Sequence, residues 1–235
     1  MGEHRYLVDG AIPVLKVHHE PRPAPAVVVL HGLDASAEVQ LPELWRLADA
    51  GFSTVGVDAP HHGRRRDGDL RVLEGPGAHA QFLRLVREAI PEVSRVLTHL
   101  REDGHGPLAV LGISLGAYVA LGVARADERV AATVSLLGSP DWSPPAREVS
   151  EELRALMRGA PVEDPDATAR APLLLVNAGL DTVVPPDAAR AFAERLRGKR
   201  PVEYVEYPQS DHLMRPQDWE ELWVRIPEFL QRHLR

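Results

Sequence analysis

Cysteine is absent from the 235 residues. Disulfides, thiolate metal sites and a cysteine nucleophile are thereby excluded. Asparagine occurs once, at Asn177, and lysine only at Lys16 and Lys199, against 25 arginines. A GC-rich coding bias gives such a skew. Selection for heat resistance is the rival, although arginine-for-lysine exchange is not a general thermophile signal. No apolar stretch reaches the roughly 18 residues of a membrane span, so no membrane is expected among the partners. The start, Met1 to Tyr6, lacks the apolar segment of a signal peptide, and Tyr6 stands where a myristoylation pattern needs Ser or Thr. A cytoplasmic location is the expectation. Excess positive charge is missing as well. The formal net charge is −7, which argues against nucleic acid. What remains is ordinary: 44% apolar and 26% charged residues, in a length that suits a single α/β domain over residues 1–235.

Short apolar runs alternate with helical patterns. Ala26–Leu30, Ser53–Val57, Leu108–Ile113, Ala131–Leu137, Pro172–Ala178 and Val202–Tyr207 read as strands, most of them apolar throughout, as burial on both faces requires. Tyr6–Val8 and Val14–Val17 read as an antiparallel leading pair turning near Asp9-Gly10. Leu41 to Ala48, Leu115 to Arg125, Ala188 to Leu196 and Trp219 to Leu234 read as helices. Phe82 to Leu100 traces a longer one, in which Pro91 predicts a kink or a break. The fold class expected is therefore α/β: a mainly parallel central sheet of about eight strands flanked by helices. One connection, residues 138–171, breaks the rhythm with five prolines and a helical middle, Ala146 to Arg158. It reads as a small lid-like excursion or a crossover with a decorated loop.

Ligands of such sheets sit at the carboxyl ends of the strands. Gly112-Ile113-Ser114-Leu115-Gly116 lies at one such end and matches G-x-S-x-G. The bare pattern is moderately specific, but its strand-turn-helix setting is that of a nucleophile elbow. A serine nucleophile needs a base, and the base needs an orienting carboxylate. Asp181 and His212 each follow a predicted strand, and the order Ser, Asp, His suits this architecture. Asp187 is a weaker substitute for Asp181, and Asp211 is a decoy beside His212. The Leu115 N–H, opening a helix, and the Leu33 N–H, after His31-Gly32, are the candidate oxyanion donors. Gly32 would let substrate approach the backbone, whereas His31 is expected to bond neighbouring backbone. The pair His61-His62 does not have metal-ligand spacing, so no metal is expected. His62 and Gly63 are read as lining or bracing one wall of the pocket through the fold of their loop. Arg64-Arg65-Arg66 reads as a solvated run, with attraction of an anionic substrate as the alternative. Trp142 either shapes the substrate pocket or anchors the core.

These features, in this order and each at a strand end, resemble the α/β-hydrolase superfamily over roughly residues 5 to 235. The stretch from Asp58 to Arg64 looks like the D-x-P-x-H-G-x-R loop of small esterases related to the prolyl oligopeptidase and dienelactone hydrolase branches. Dienelactone hydrolases use a cysteine nucleophile, which this chain does not have. The resemblance implies an α/β-hydrolase fold and a serine carboxylesterase acting on short-chain carboxylic esters through an acyl-enzyme. It implies a small-molecule ester as partner, no cofactor, and a monomer or small homo-oligomer. Peptidase, thioesterase and perhydrolase reactions stay open, as does a non-catalytic binding protein on the same fold.

Overall fold

The computed structural model describes residues 2–19, 24–67, 77–144 and 149–234. Its strands are β1 (Gly2–Val8), β2 (Ile12–His18), β3 (Ala26–Leu30), β4 (Ser53–Val57), β5 (Leu108–Ile113), β6 (Val130–Leu136), β7 (Leu173–Ala178) and β8 (Val202–Tyr207). They form one eight-stranded sheet in the order β1-β2-β4-β3-β5-β6-β7-β8. The leading pair is antiparallel to its neighbours, and the six strands from β4 to β8 across the sheet run parallel. Asp9 and Gly10 turn the leading hairpin with φ of 52° and 69°, closed by Ala11 N–H on the Val8 carbonyl at 3.1 Å. Asp and Gly tolerate that left-handed region best.

The helices are α1 (Leu41–Asp49), α2 (Ala78–Glu102), α3 (Leu115–Ala126), α4 (Glu151–Met157), α5 (Pro165–Thr168), α6 (Asp187–Leu196) and α7 (Pro216–Leu234). Strand side chains alternate between the two faces, and the buried runs divide accordingly. Val27, Val29, Leu111, Leu174 and Val176 pack with α1 and α7. Val28, Leu30, Leu108 and Val110 pack with α2 and α3. Leu173 and Leu175 pack with Phe192 and Leu196 of α6. Each fully buried side chain of this kind contributes about 1.5–3 kcal/mol. Covered on both sides, the inner strands can be apolar throughout.

Pro91 neither ends nor divides α2, which runs through it as one element. The ring removes one helical hydrogen bond. The buried face formed by Leu83, Val86, Val93, Val96, Leu97 and Leu100 extends on both sides of it and holds the helix together. In the connection between β6 and β7, α4 opens with Ser150 capping Leu153 N–H at 3.2 Å. The expected start at Ala146 lies outside the described residues. Leu153, Leu156 and Met157 of α4 pack against the core beside α2 and α3. The chain crosses from β3 to β4 on one side and back to β5 on the other. The carboxyl ends of β3 and β5 therefore flank a switch point, where such sheets bind ligands.

Candidate active site

The turn between β5 and α3 is built by two glycines. A Cβ on Gly112 would overlap the Gly116 carbonyl, and one on Gly116 would overlap the carbonyl of Leu30 at the end of β3. Ser114, between them, has φ 52° and ψ −114°. A non-glycine residue pays of order 1–3 kcal/mol for such geometry and keeps it only when its surroundings hold it. Ser114 N–H on the Leu136 carbonyl at 2.8 Å and Gly116 N–H on the His31 carbonyl at 3.1 Å do so. The Leu115 N–H opens α3 and finds no acceptor among the described residues. It stands at the positive end of the helix dipole. The Leu33 N–H is likewise without an acceptor among the described residues.

Ser114 Oγ lies 2.9 Å from His212 Nε2, and His212 Nδ1 lies 2.7 Å from Asp181 Oδ2. Asp181 follows β7, is 4% exposed, and on its other oxygen accepts the Val183 and Val184 N–H groups at 2.8 Å each. Its carboxylate is thus held on both oxygens. The loops carrying Asp181 and His212 are laced together. Leu180 N–H donates to the Ser210 carbonyl at 2.9 Å, and Gly179 N–H to the Tyr207 carbonyl at 2.8 Å. Ser210 Oγ in turn bonds Asp218 at 2.7 Å and takes the Arg215 N–H at 3.0 Å. Asp211 uses a carboxylate oxygen on the Leu213 N–H, away from the His212 ring. Asp187 pairs with Arg190 at 2.8 Å.

These groups open into a cavity of about 780 Å³. Ser114, His212, Gly32 and Leu33 line it, and so do His79, Phe82, Tyr118, Ser139, Asp141 and the run Thr182–Pro185. The Tyr118 hydroxyl is pushed up to about 12, chiefly by burial, and keeps its proton at neutral pH. Tyr118 lies one helical turn beyond Ser114, so the i, i+4 spacing could have pointed to it. Thr182, Val183 and Val184 follow Asp181 directly in the sequence. His79 and Phe82 come from distant α2, and no pattern in the sequence marks them.

Trp142, His62 and the arginine run are not among the residues that line the cavity. Trp142 is 1% exposed in the core, with Arg87 over its ring at 5.2 Å, and does not line the cavity. Of the two readings it takes the core one, because its flat, bulky ring fills the space beside α2 and α3. His62 is fully buried and is not among the cavity-lining residues. Its Nδ1 donates to the Pro60 carbonyl at 2.7 Å, and its ring lies 5.1 Å from that of His31. Burial holds it below the usual histidine range. The arginine run is not uniformly solvated. Arg65 makes a two-pronged pair with Glu92 at 2.5 and 2.9 Å. Arg64 lines a separate hollow of about 330 Å³ with Arg5, Pro13 and Ser36 and is not among the residues that line the cavity at Ser114. His61 turns to Asp67 at 2.7 Å, away from His62. Among the described residues no group of three or more His, Cys, Asp or Glu side chains could hold a metal ion. No helix there is long and apolar enough to cross a membrane.

Residues 21–158 match the family described as serine aminopeptidase, S33. Esterase YjfP of Escherichia coli (strain K12) is 30% identical over 218 residues, 83% of this chain and 84% of YjfP. The structure of TT1662 from Thermus thermophilus is similar with a TM-score of 0.78 at 25% identity, over 97% of this chain and 98% of that one. Dienelactone hydrolase from Anabaena variabilis shares the fold, with a TM-score of 0.72 at 22% identity over 99% of each chain. The match over more than half of the chain, together with these likenesses, shows that the chain belongs to the serine aminopeptidase S33 family of the α/β-hydrolase superfamily.

Proposed function

We propose that the protein is a serine carboxylesterase that hydrolyses short-chain esters of small molecules by two-step acyl transfer. The observation that carries this is the unbroken chain Ser114–His212–Asp181, with links of 2.9 and 2.7 Å, whose Ser114 and His212 line a cavity. The likeness to esterase YjfP supports ester over other substrates. Ser114 Oγ attacks the ester carbonyl while His212 Nε2 takes its proton. Asp181 keeps the His212 proton on Nδ1 and stabilises the imidazolium. The Leu33 and Leu115 amides receive the oxyanion, each worth about 3 kcal/mol in the transition state. His212 then protonates the departing alcohol, and water repeats the sequence to free the acid. The chemistry uses no cofactor. The cavity volume fits a small ester, since sites for drug-sized molecules span about 300–1,000 Å³.

Hydrolysis of p-nitrophenyl esters of graded acyl length, wild type beside Ser114→Ala, tests the reading. Turnover of acetate to butyrate that vanishes in the variant is expected. A variant that keeps most of the activity would refute the assignment. A folded wild type that cleaves none of them, but cleaves aminoacyl amides, would shift the substrate class to peptides.

A further inference from the structure

The loop from Asp58 to Arg65 follows β4 and does not line the cavity among the described residues. Its sequence is distinctive, yet the acyl-transfer chemistry gives it no task. Its hydrogen bonds lead to the neighbouring segment, residues 31–37, which carries the Leu33 amide. The loop holds that segment at both ends. Ala59 N–H donates to His31 Nε2 at 3.0 Å, and Ala37 N–H donates to Asp58 Oδ1 at 2.9 Å. Asp58 is itself clamped. Its second oxygen takes the Arg64 N–H at 3.0 Å, and Gly63, at φ 52°, comes so close that a Cβ would overlap the carboxylate. Arg65 ties the loop to Glu92 on α2.

The His31 ring passes this restraint on. Accepting a backbone N–H at Nε2 leaves the ring proton on Nδ1. That Nδ1–H donates to the Gly32 carbonyl at 2.7 Å. In a trans peptide the C=O and N–H point in opposite directions. A Gly32 carbonyl held against His31 therefore turns the Leu33 N–H away from the ring. Gly32 itself lies against Ser114: a Cβ on it would be 3.6 Å from that of the serine.

We propose that the Asp58–Arg65 loop is a positioning device. Through His31 and Ala37 it fixes the Leu33 peptide as an oxyanion donor, with His31 and Asp58 as positioning residues. The proposal rests on Ser114 being the nucleophile. It requires that loosening the loop lower kcat and leave substrate binding alone, because the oxyanion exists only past the ground state.

The test uses His31→Phe, which keeps a ring and removes both hydrogen bonds, and Asp58→Asn, which sets an amide NH₂ against one of two backbone donors. His31→Asn is the conservative partner, since its amide N–H can replace Nδ1–H on the Gly32 carbonyl. Active sites are counted by fluorophosphonate titration, so unfolded protein is excluded from the rates. In His31→Phe and Asp58→Asn, kcat per site on p-nitrophenyl acetate should fall about 10–100-fold. KM should stay within about twofold. A trifluoromethyl ketone, whose adduct places an oxyanion in the same position, should weaken by the same factor as kcat. His31→Asn should recover part of both. Variants as fast per site as wild type would overturn the loop's role alone, and so would a loss confined to KM. A wild type that neither turns over the ester nor titrates would overturn the reading of Ser114, and the proposal with it.

Discussion

Gly116 packs directly against the carbonyl of Leu30, so the elbow that bears Ser114 is seated on the end of β3 with no room for a methyl group between them. The close approach lets Gly116 N–H reach the His31 carbonyl and joins the serine turn to the segment that carries Leu33. Gly116→Ala must push the two apart. Overpacking of this kind costs about 1–3 kcal/mol. For a chain of this size that lowers the melting temperature by about 2–4 °C per kcal/mol. Displacing Ser114 from Leu33 should also lower kcat about a hundredfold. A melt and a rate both equal to wild type would contradict the packing.

Asp181→Asn should leave the fold intact and remove most of the activity. The side-chain oxygen stays with the Val183 and Val184 amides, so the new NH₂ faces His212 Nδ1. A donor there forces Nδ1 to accept and moves the ring proton to Nε2, which can then no longer take a proton from Ser114. The expected loss is about 10⁴-fold in kcat. Circular dichroism and steady-state kinetics on the same sample decide it.

Stability should fall with acidity through His31. Burial pushes its imidazole down to about 4 from 6.5. The unfolded chain therefore takes up this proton at higher pH than the folded one. The contribution is complete above about pH 6.5, declines as the pH falls towards 4, and is gone below both values. Each pH unit crossed removes about 1.4 kcal/mol. His62 and His105, lowered by burial as well, act in the same direction. Urea unfolding at about pH 6.5 and 4.5 should show wild type losing about 2–3 kcal/mol more than His31→Phe. Equal losses would contradict the assignment to His31.

Trp142→Ala should destabilise without altering substrate choice. The ring is buried beside α2 and α3, and truncation of such a residue costs about 3–5 kcal/mol. The ratio of acetate to octanoate turnover should stay as in wild type. A changed ratio in the folded variant would put the ring in contact with substrate.

Much of this was legible in the sequence because it depends on residue type and order. Short continuous runs such as Ala26–Leu30 and Leu173–Ala178, bounded by turn residues, suit strands covered on both faces. The spacing of Gly112, Ser114 and Gly116 is demanded by the tight turn, in which Gly112 meets the Gly116 carbonyl, and by the seat of Gly116 on the end of β3. What stayed hidden depends on direction. The letters do not say whether Trp142 faces the cavity or the core, nor that His62 turns inward to the Pro60 carbonyl. Pro91 signals a kink or a break, and only the buried face of α2 on both sides of it shows why the helix continues as one element. Arg64-Arg65-Arg66 looks uniform, yet Arg65 finds Glu92 from another element. The cavity wall from α2, His79 and Phe82, arises where two distant segments meet.

The central claim is that Ser114 carries the acyl group between the two halves of the reaction. Rapid-quench mass spectrometry of the enzyme mixed with p-nitrophenyl acetate measures this directly. The account predicts one acetyl group per chain, on the peptide containing Ser114, forming with the p-nitrophenol burst and decaying at the turnover rate. Turnover without any acetylated intermediate, or an acetyl group on another residue that keeps pace with turnover, would contradict it.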